Sequence, residues 1–137
     1  MAVLKAHTDW GFGTWVHGEY QNAALGAATA AEIVLYDTDG DTVTLAANEQ
    51  LVVRDYAVRV DTSGDVLLMF NNAITASRHI DRGPIPAYGA LAGNFIRGFL
   101  GPAVSGNVGK PWVINSAACE IAAQLTGVVL VSPAQPA

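Results

Sequence analysis

The chain has 137 residues, 51% of them hydrophobic, and its seven Lys and Arg against twelve Asp and Glu give a formal net charge of −5. That length suits one domain with a real core, and the scattered cations argue against a protein that coats nucleic acid, which needs clustered Lys and Arg. The single cysteine, Cys119, excludes an intrachain disulfide framework.

The N-terminal stretch Met1–Tyr20 holds Trp10, Phe12, Trp15 and Tyr20 interleaved with Gly11, Gly13 and Gly18. Glycines at this density interrupt regular structure while the aromatic rings favour burial. The expectation is an extended arm anchored by Trp10, Phe12, Trp15 and Tyr20 on its own domain or on a neighbour. Gln21–Ala30, rich in small residues, reads as a loop, so residues 1–30 are expected as arm and loop and residues 31–137 as the folded domain. No apolar h-region precedes Asp9, so no secretory signal peptide is expected.

Regular structure is expected to begin at Glu32–Tyr36, followed by a turn at Asp37-Thr-Asp-Gly-Asp41 and by Thr42–Leu45, where Val43 and Leu45 face one way and Thr42 and Thr44 the other. Leu51–Val60 alternates too, with Tyr56, Val58 and Val60 on one face and Asp55, Ala57 and Arg59 on the other. Asp61–Asp65 reads as a turn and Val66–Phe70 as a second strand, so Glu49–Phe70 is expected to form an antiparallel hairpin. Val66–Phe70 is apolar on both faces, which suggests contact with another subunit. Ser77–Pro86 is polar and broken by proline, hence a loop or edge. Gly93–Leu100, Pro111–Ser116 and Cys119–Val131 are further strands. Ala117–Leu125 also has helical propensity, but the alternation of Cys119, Ile121, Ala123 and Leu125 favours a strand. Seven or eight short strands make an all-β sandwich or barrel. The uncharged tail Ile121–Ala137 is interrupted by Gln124, Gly127, Pro133 and Pro136, and falls short of the roughly 20 apolar residues that span a bilayer.

Charged residues make up only 14% of the chain, against about 25% in ordinary soluble domains. A neutral surface of Thr, Asn, Gln, Ser and Gly would account for that deficit, as would a surface partly covered by copies of the same chain or by a partner, which is the expectation taken forward.

No catalytic or ligand-binding constellation stands out. Asp37-x-Asp39-x-Asp41 starts like a calcium loop, but Gly40 comes two positions early and Asn48 replaces the terminal Glu. Asp39-Gly40 between two β runs is a hairpin turn instead. His7, His17 and His79 lack metal-site spacing, and neither a metal nor a cofactor is expected. Ser105 is not in a nucleophile elbow, and Cys119 in an alternating strand is a small core residue without cations to activate it. A carboxylate pair for glycoside hydrolysis would have to come from Asp37, Asp39, Asp41, Asp61 and Asp65, all of which fall in turns. Trp10, Trp15 and Trp112 are the planar candidates for sugar stacking, a role weighed against plain packing. The chain is therefore not expected to be an enzyme.

The run Gly98-Phe-Leu-Gly-Pro-Ala-Val-Ser-Gly-Asn-Val-Gly-Lys-Pro-Trp-Val-Ile-Asn-Ser-Ala-Ala118, followed by Leu125-Thr-Gly-Val-Val-Leu-Val131, resembles the jelly-roll capsid cement (decoration) proteins of tailed bacteriophages. Leu45–Val53 and Ser63–Leu68 fit the same style, so the likeness spans residues 32–131. It implies a jelly-roll-like antiparallel β-sandwich and a structural virion protein made in a host cytoplasm. Such a protein binds the major capsid protein as a homo-oligomer, a trimer ahead of a dimer, with neither nucleic acid nor membrane as partner. Trp10, Phe12, Trp15 and Tyr20 would then be interface anchors. A receptor-binding spike or fibre knob, using loops Ser77–Pro86 and Gly101–Lys110, shares this fold. So does a carbohydrate-binding module.

Overall fold

A computed structural model describes residues 13–74 and 78–130. Ten strands follow in chain order: β1 (Thr14–Leu25), β2 (Ala31–Glu32), β3 (Val34–Tyr36), β4 (Thr42–Val43), β5 (Gln50–Val60), β6 (Gly64–Met69), β7 (His79–Ile85), β8 (Ala90–Leu100), β9 (Trp112–Asn115) and β10 (Cys119–Leu130). They form two antiparallel sheets, one in the order β4-β3-β1-β10-β5-β8 and the other β2-β9-β6-β7. The chain is an all-β sandwich, and no helix among the described residues is long and apolar enough to cross a membrane.

The period-two pattern places the core. Val58 and Val60 are buried on the inner face of β5, Ile121, Ala123 and Leu125 on that of β10, and Val66, Leu68 and Phe70 close the other side from the smaller sheet. Polar alternates such as Asp55, Arg59, Glu120 and Gln124 point outward.

The main difference from the sequence reading lies at the N-terminus. Thr14–Leu25, expected as arm and loop, is a twelve-residue strand inserted between β10 and β3. Its inward alternation was hidden because one core position is Gly18. A Cβ there would lie 2.7 Å from Ile33 at the β2–β3 crossing and 3.0 Å from Leu125 on β10, so glycine lets these side chains close over β1. Trp10 and Phe12 lie outside the described residues.

The Glu49–Phe70 hairpin does not form. β5 pairs with β10 and β8, whereas β6 pairs with β7 and β9, so the two runs belong to opposite sheets. Asp61–Ser63 carries the chain across the sandwich rather than back along it. Buried Asn115 holds this corner, its Nδ2 donating to the Thr62 carbonyl at 3.3 Å while its Oδ1 accepts from the Ala117 amide. The Asp65 amide and carbonyl are both bonded to Ser116. A turn-like sequence cannot reveal that its hydrogen bonds are made to a strand fifty residues away.

Glu32–Tyr36 also divides between sheets. β2 pairs with β9 and β3 with β1, with buried Ile33 at the crossing. The two-sided burial of Val66–Phe70 needs no second subunit, since Leu67 and Met69 pack on Ile114 with Trp112 and Ala30 from the same chain. Within the stretch expected as a loop or edge, His79–Ile85 is edge strand β7, which tolerates Pro84 because it lies at the edge of its sheet. Asp37–Asp41 is the expected turn, with Asp37 Oδ1 accepting from the amides of Asp39 and Asp41 at 2.9 Å each.

The open side of the sandwich, between edge strands β7 and β8, is closed by aromatic rings. Tyr56, Phe95, Phe99 and Phe70 contact one another in sequence, with centroids 5.1–6.0 Å apart. The Arg78 guanidinium lies 4.8 Å over Phe99. Buried Tyr56 reaches from β5 to donate its hydroxyl to Asp81 on β7. Burial and this carboxylate both push the phenol well above its usual range.

Candidate functional site: the outer face of the six-stranded sheet

The strand register arranges the outward side chains of β3, β1, β10, β5 and β8 in rows across the sheet. The first row is Trp15, Val128, Val52 and Leu100. The next is Tyr36, His17, Thr126, Asp55 and Asn94, and the third Val34, Glu19, Gln124, Ala57 and Ala92. Gln21, Ala122, Arg59 and Ala90 make the fourth. The face therefore runs from an apolar end, through neutral polar groups, to a charged end.

At the apolar end Val52, Val128 and Leu130 form a small buried cluster with partly buried Leu100 packed against it. Trp15 stands at its margin, 48% exposed. The bulge residue Arg54 lies 5.9 Å from the Trp15 ring and donates through Nη2 to the Ile96 carbonyl at 3.4 Å. Ile96 is 87% exposed because β8 bulges outward between Asn94 and Phe99. A bulge on an edge strand blocks further strand pairing, and this one also presents a bare aliphatic side chain to solvent. Trp15, Arg54 and Ile96 thus form one continuous rim beside an apolar sheet end.

At the opposite end lies an open cavity of about 680 Å³, lined by Gln21, Asn22, Arg59, Asp61, Tyr88 and Glu120 over a floor of Ala23 and Ala122. Asp61 is fixed there, its Oδ1 accepting from the Glu120 amide at 2.7 Å. Tyr88 projects from the turn between β7 and β8 with φ of 62° and 87% exposure.

The residues singled out from sequence do not converge. Trp15 belongs to the outer face, but Tyr20, five residues on, falls on the opposite face of β1 and packs against the core. Trp15 and Trp112 sit on different sheets, so they make no common stacking platform. His17 stacks on Tyr36 at 5.5 Å, while His79 on β7 contacts the Ile74 carbonyl; His7 lies outside the described residues. Cys119 is buried in the core. Asp65 is paired with Arg82 at 2.7 Å. Among the described residues no three His, Cys, Asp or Glu are grouped to hold a metal.

Ile96, Arg54 and Tyr88 escaped the sequence reading. Ile96 depends on a bulge set by pairing with β5, which no local pattern reports. Tyr88 had a local signal, since Pro86-Ala-Tyr-Gly89 has the composition of a turn. No family model, curated protein or solved structure matches the chain.

Proposed function

We propose that this protein is a capsid decoration protein of the tailed-phage type, which docks as a homo-oligomer on an assembled head through the apolar end of its six-stranded sheet. The observation that carries the reading is the pair of exposed side chains Trp15 and Ile96, bridged by half-buried Arg54, over the buried Val52, Val128 and Leu130 cluster. Interfaces are anchored by aromatic and arginine side chains at well-packed apolar centres. Here both residue types occur together, on a chain otherwise poor in surface charge.

The strand order supports the jelly-roll part of the reading. Apart from the β3–β4 hairpin, the pairs β1·β10, β2·β9, β5·β8 and β6·β7 are nested one inside the next. Such a set is a single long antiparallel ribbon folded at the β6–β7 end. Rolling it up creates the further pairs β10·β5 and β9·β6. A double Greek key of the kind found in viral capsid and lectin domains would give this pattern of pairs. Fold alone does not assign function, so the rim carries the argument.

Decoration would act by mass action. A protein that binds the assembled shell but not its separated subunits stabilises the shell, and many copies linked as oligomers add avidity. The test is co-sedimentation with tailed-phage heads stripped of their own decoration protein, using the wild type and Trp15→Ala/Ile96→Asp. Retention of the wild type and loss of the variant supports the proposal. Equal occupancy, or none for the wild type, refutes it.

A further inference from the structure

We infer that the cavity at the charged end of the six-stranded sheet binds a neutral oligosaccharide, with one sugar ring stacked on Tyr88 and its hydroxyls held by Gln21, Arg59 and Glu120. This site lies at the other end of the sheet from the proposed docking rim and does not depend on the decoration role.

The first ground is the state of the lining. The side chains of Gln21, Arg59, Glu120 and Tyr88 line the cavity and make no hydrogen bond to any other described group, whereas those of Asn22 and Asp61 are tied into the fold. Donors and acceptors are thus mixed and available around an alanine floor. A volume of about 680 Å³ lies in the range of small-molecule sites.

The second ground is Tyr88 itself. The Gly89 amide donates to the Pro86 carbonyl at 2.9 Å, and the Tyr88 amide donates to the Val60 carbonyl at 2.9 Å. Tyr88 therefore occupies the third position of a tight turn with φ of 62°. That position favours glycine or asparagine, and a bulky side chain there is a backbone outlier. With 87% exposure the ring contributes little packing in return. A rigidly mounted, bare aromatic face beside free polar groups suits the apolar C–H face of a pyranose.

The third ground is what the site disfavours. One arginine against Asp61 and Glu120 leaves the lining net negative, which repels phosphate, sulfate and acidic sugars. The central strand beneath the cavity, β10, is paired on both sides, with β1 and with β5, so an occupant lying across it is held by side chains and not by strand pairing.

The experiment titrates ¹⁵N-labelled protein with maltohexaose, cellohexaose and chitohexaose, each up to roughly 10 mM, and with hexalysine as a basic-peptide probe. At least one hexasaccharide is expected to shift the amides of Gln21, Arg59, Tyr88 and Glu120. Tyr88→Gly suits the turn, so its spectrum should stay folded while affinity falls about tenfold or more. Arg59→Ala should weaken binding by a similar factor. The inference is overturned if no hexasaccharide binds, if Tyr88→Gly binds as well as the wild type, or if hexalysine alone shifts these amides.

Discussion

Replacing Tyr56 by Phe removes one hydroxyl from the seam that closes the sandwich and leaves the ring contact with Phe95 in place. Tyr56 is buried and its partner Asp81 is a carboxylate on the opposite sheet. A hydrogen bond to a charged partner contributes about 1.5–3 kcal/mol. Asp81 is only half-buried, so water can solvate it once the hydroxyl is gone. The loss should therefore fall near the lower limit, about 1.5 kcal/mol, a drop in Tm of roughly 5 °C for a domain of this size. The phenol is raised above its unfolded value by burial and by Asp81. Folding thus favours the protonated form, and this stabilisation is complete below about pH 10, the unfolded phenol's pKa. It is lost progressively as pH rises toward the folded value. Urea denaturation of wild type and Tyr56→Phe should give equal m-values and a stability gap that is constant at neutral pH and narrows above about pH 10. A gap under about 0.5 kcal/mol at neutral pH, or one that does not narrow in alkali, would refute the argument that this bond links the sheets.

Three further substitutions probe the same framework. Gly93→Ala should destabilise through the same seam, because the new Cβ would sit 2.5 Å from the Tyr56 hydroxyl oxygen; in a Tyr56→Phe background its cost should shrink, as a double-mutant cycle will measure. Leu68→Ala, at a fully buried position facing β5 and β10, should cost about 2–5 kcal/mol, visible as a lower urea midpoint. Asp37→Ala removes the acceptor of two backbone amides in the β3–β4 turn and should cost about 1 kcal/mol, with amide exchange accelerated at Asp39 and Asp41 only.

What could be read from the sequence was local, and what could not was pairing. Tyr56, Val58 and Val60 declare an inward face because the alternation of a strand depends only on neighbours along the chain. Asp37–Asp41 declares a turn because its own carboxylate satisfies its own amides. Asp61–Asp65 has the same composition, yet it crosses between sheets because Asn115 and Ser116 supply its partners. Strand β1 was hidden by Gly18, whose lack of a side chain makes room for Ile33, Leu125 and Leu35 rather than marking a break. The functional face suffers most from this limit. Trp15 was legible as an aromatic seeking a partner, but its neighbours Arg54 and Ile96 reach it only through the β1–β10–β5–β8 register. Tyr20, equally aromatic, is committed to the core by strand parity alone.

The central claim is that the chain acts as a homo-oligomer whose Trp15–Ile96 end is free to dock on a shell. Its most direct test is the solution mass of the full chain by light scattering coupled to size exclusion, beside that of Trp15→Ala/Ile96→Asp. The account predicts an oligomer, a trimer at three times the 14.3 kDa chain mass, that the double variant keeps. A wild-type chain that runs as a 14.3 kDa monomer at every concentration, or an oligomer that the double variant dissociates, would contradict it.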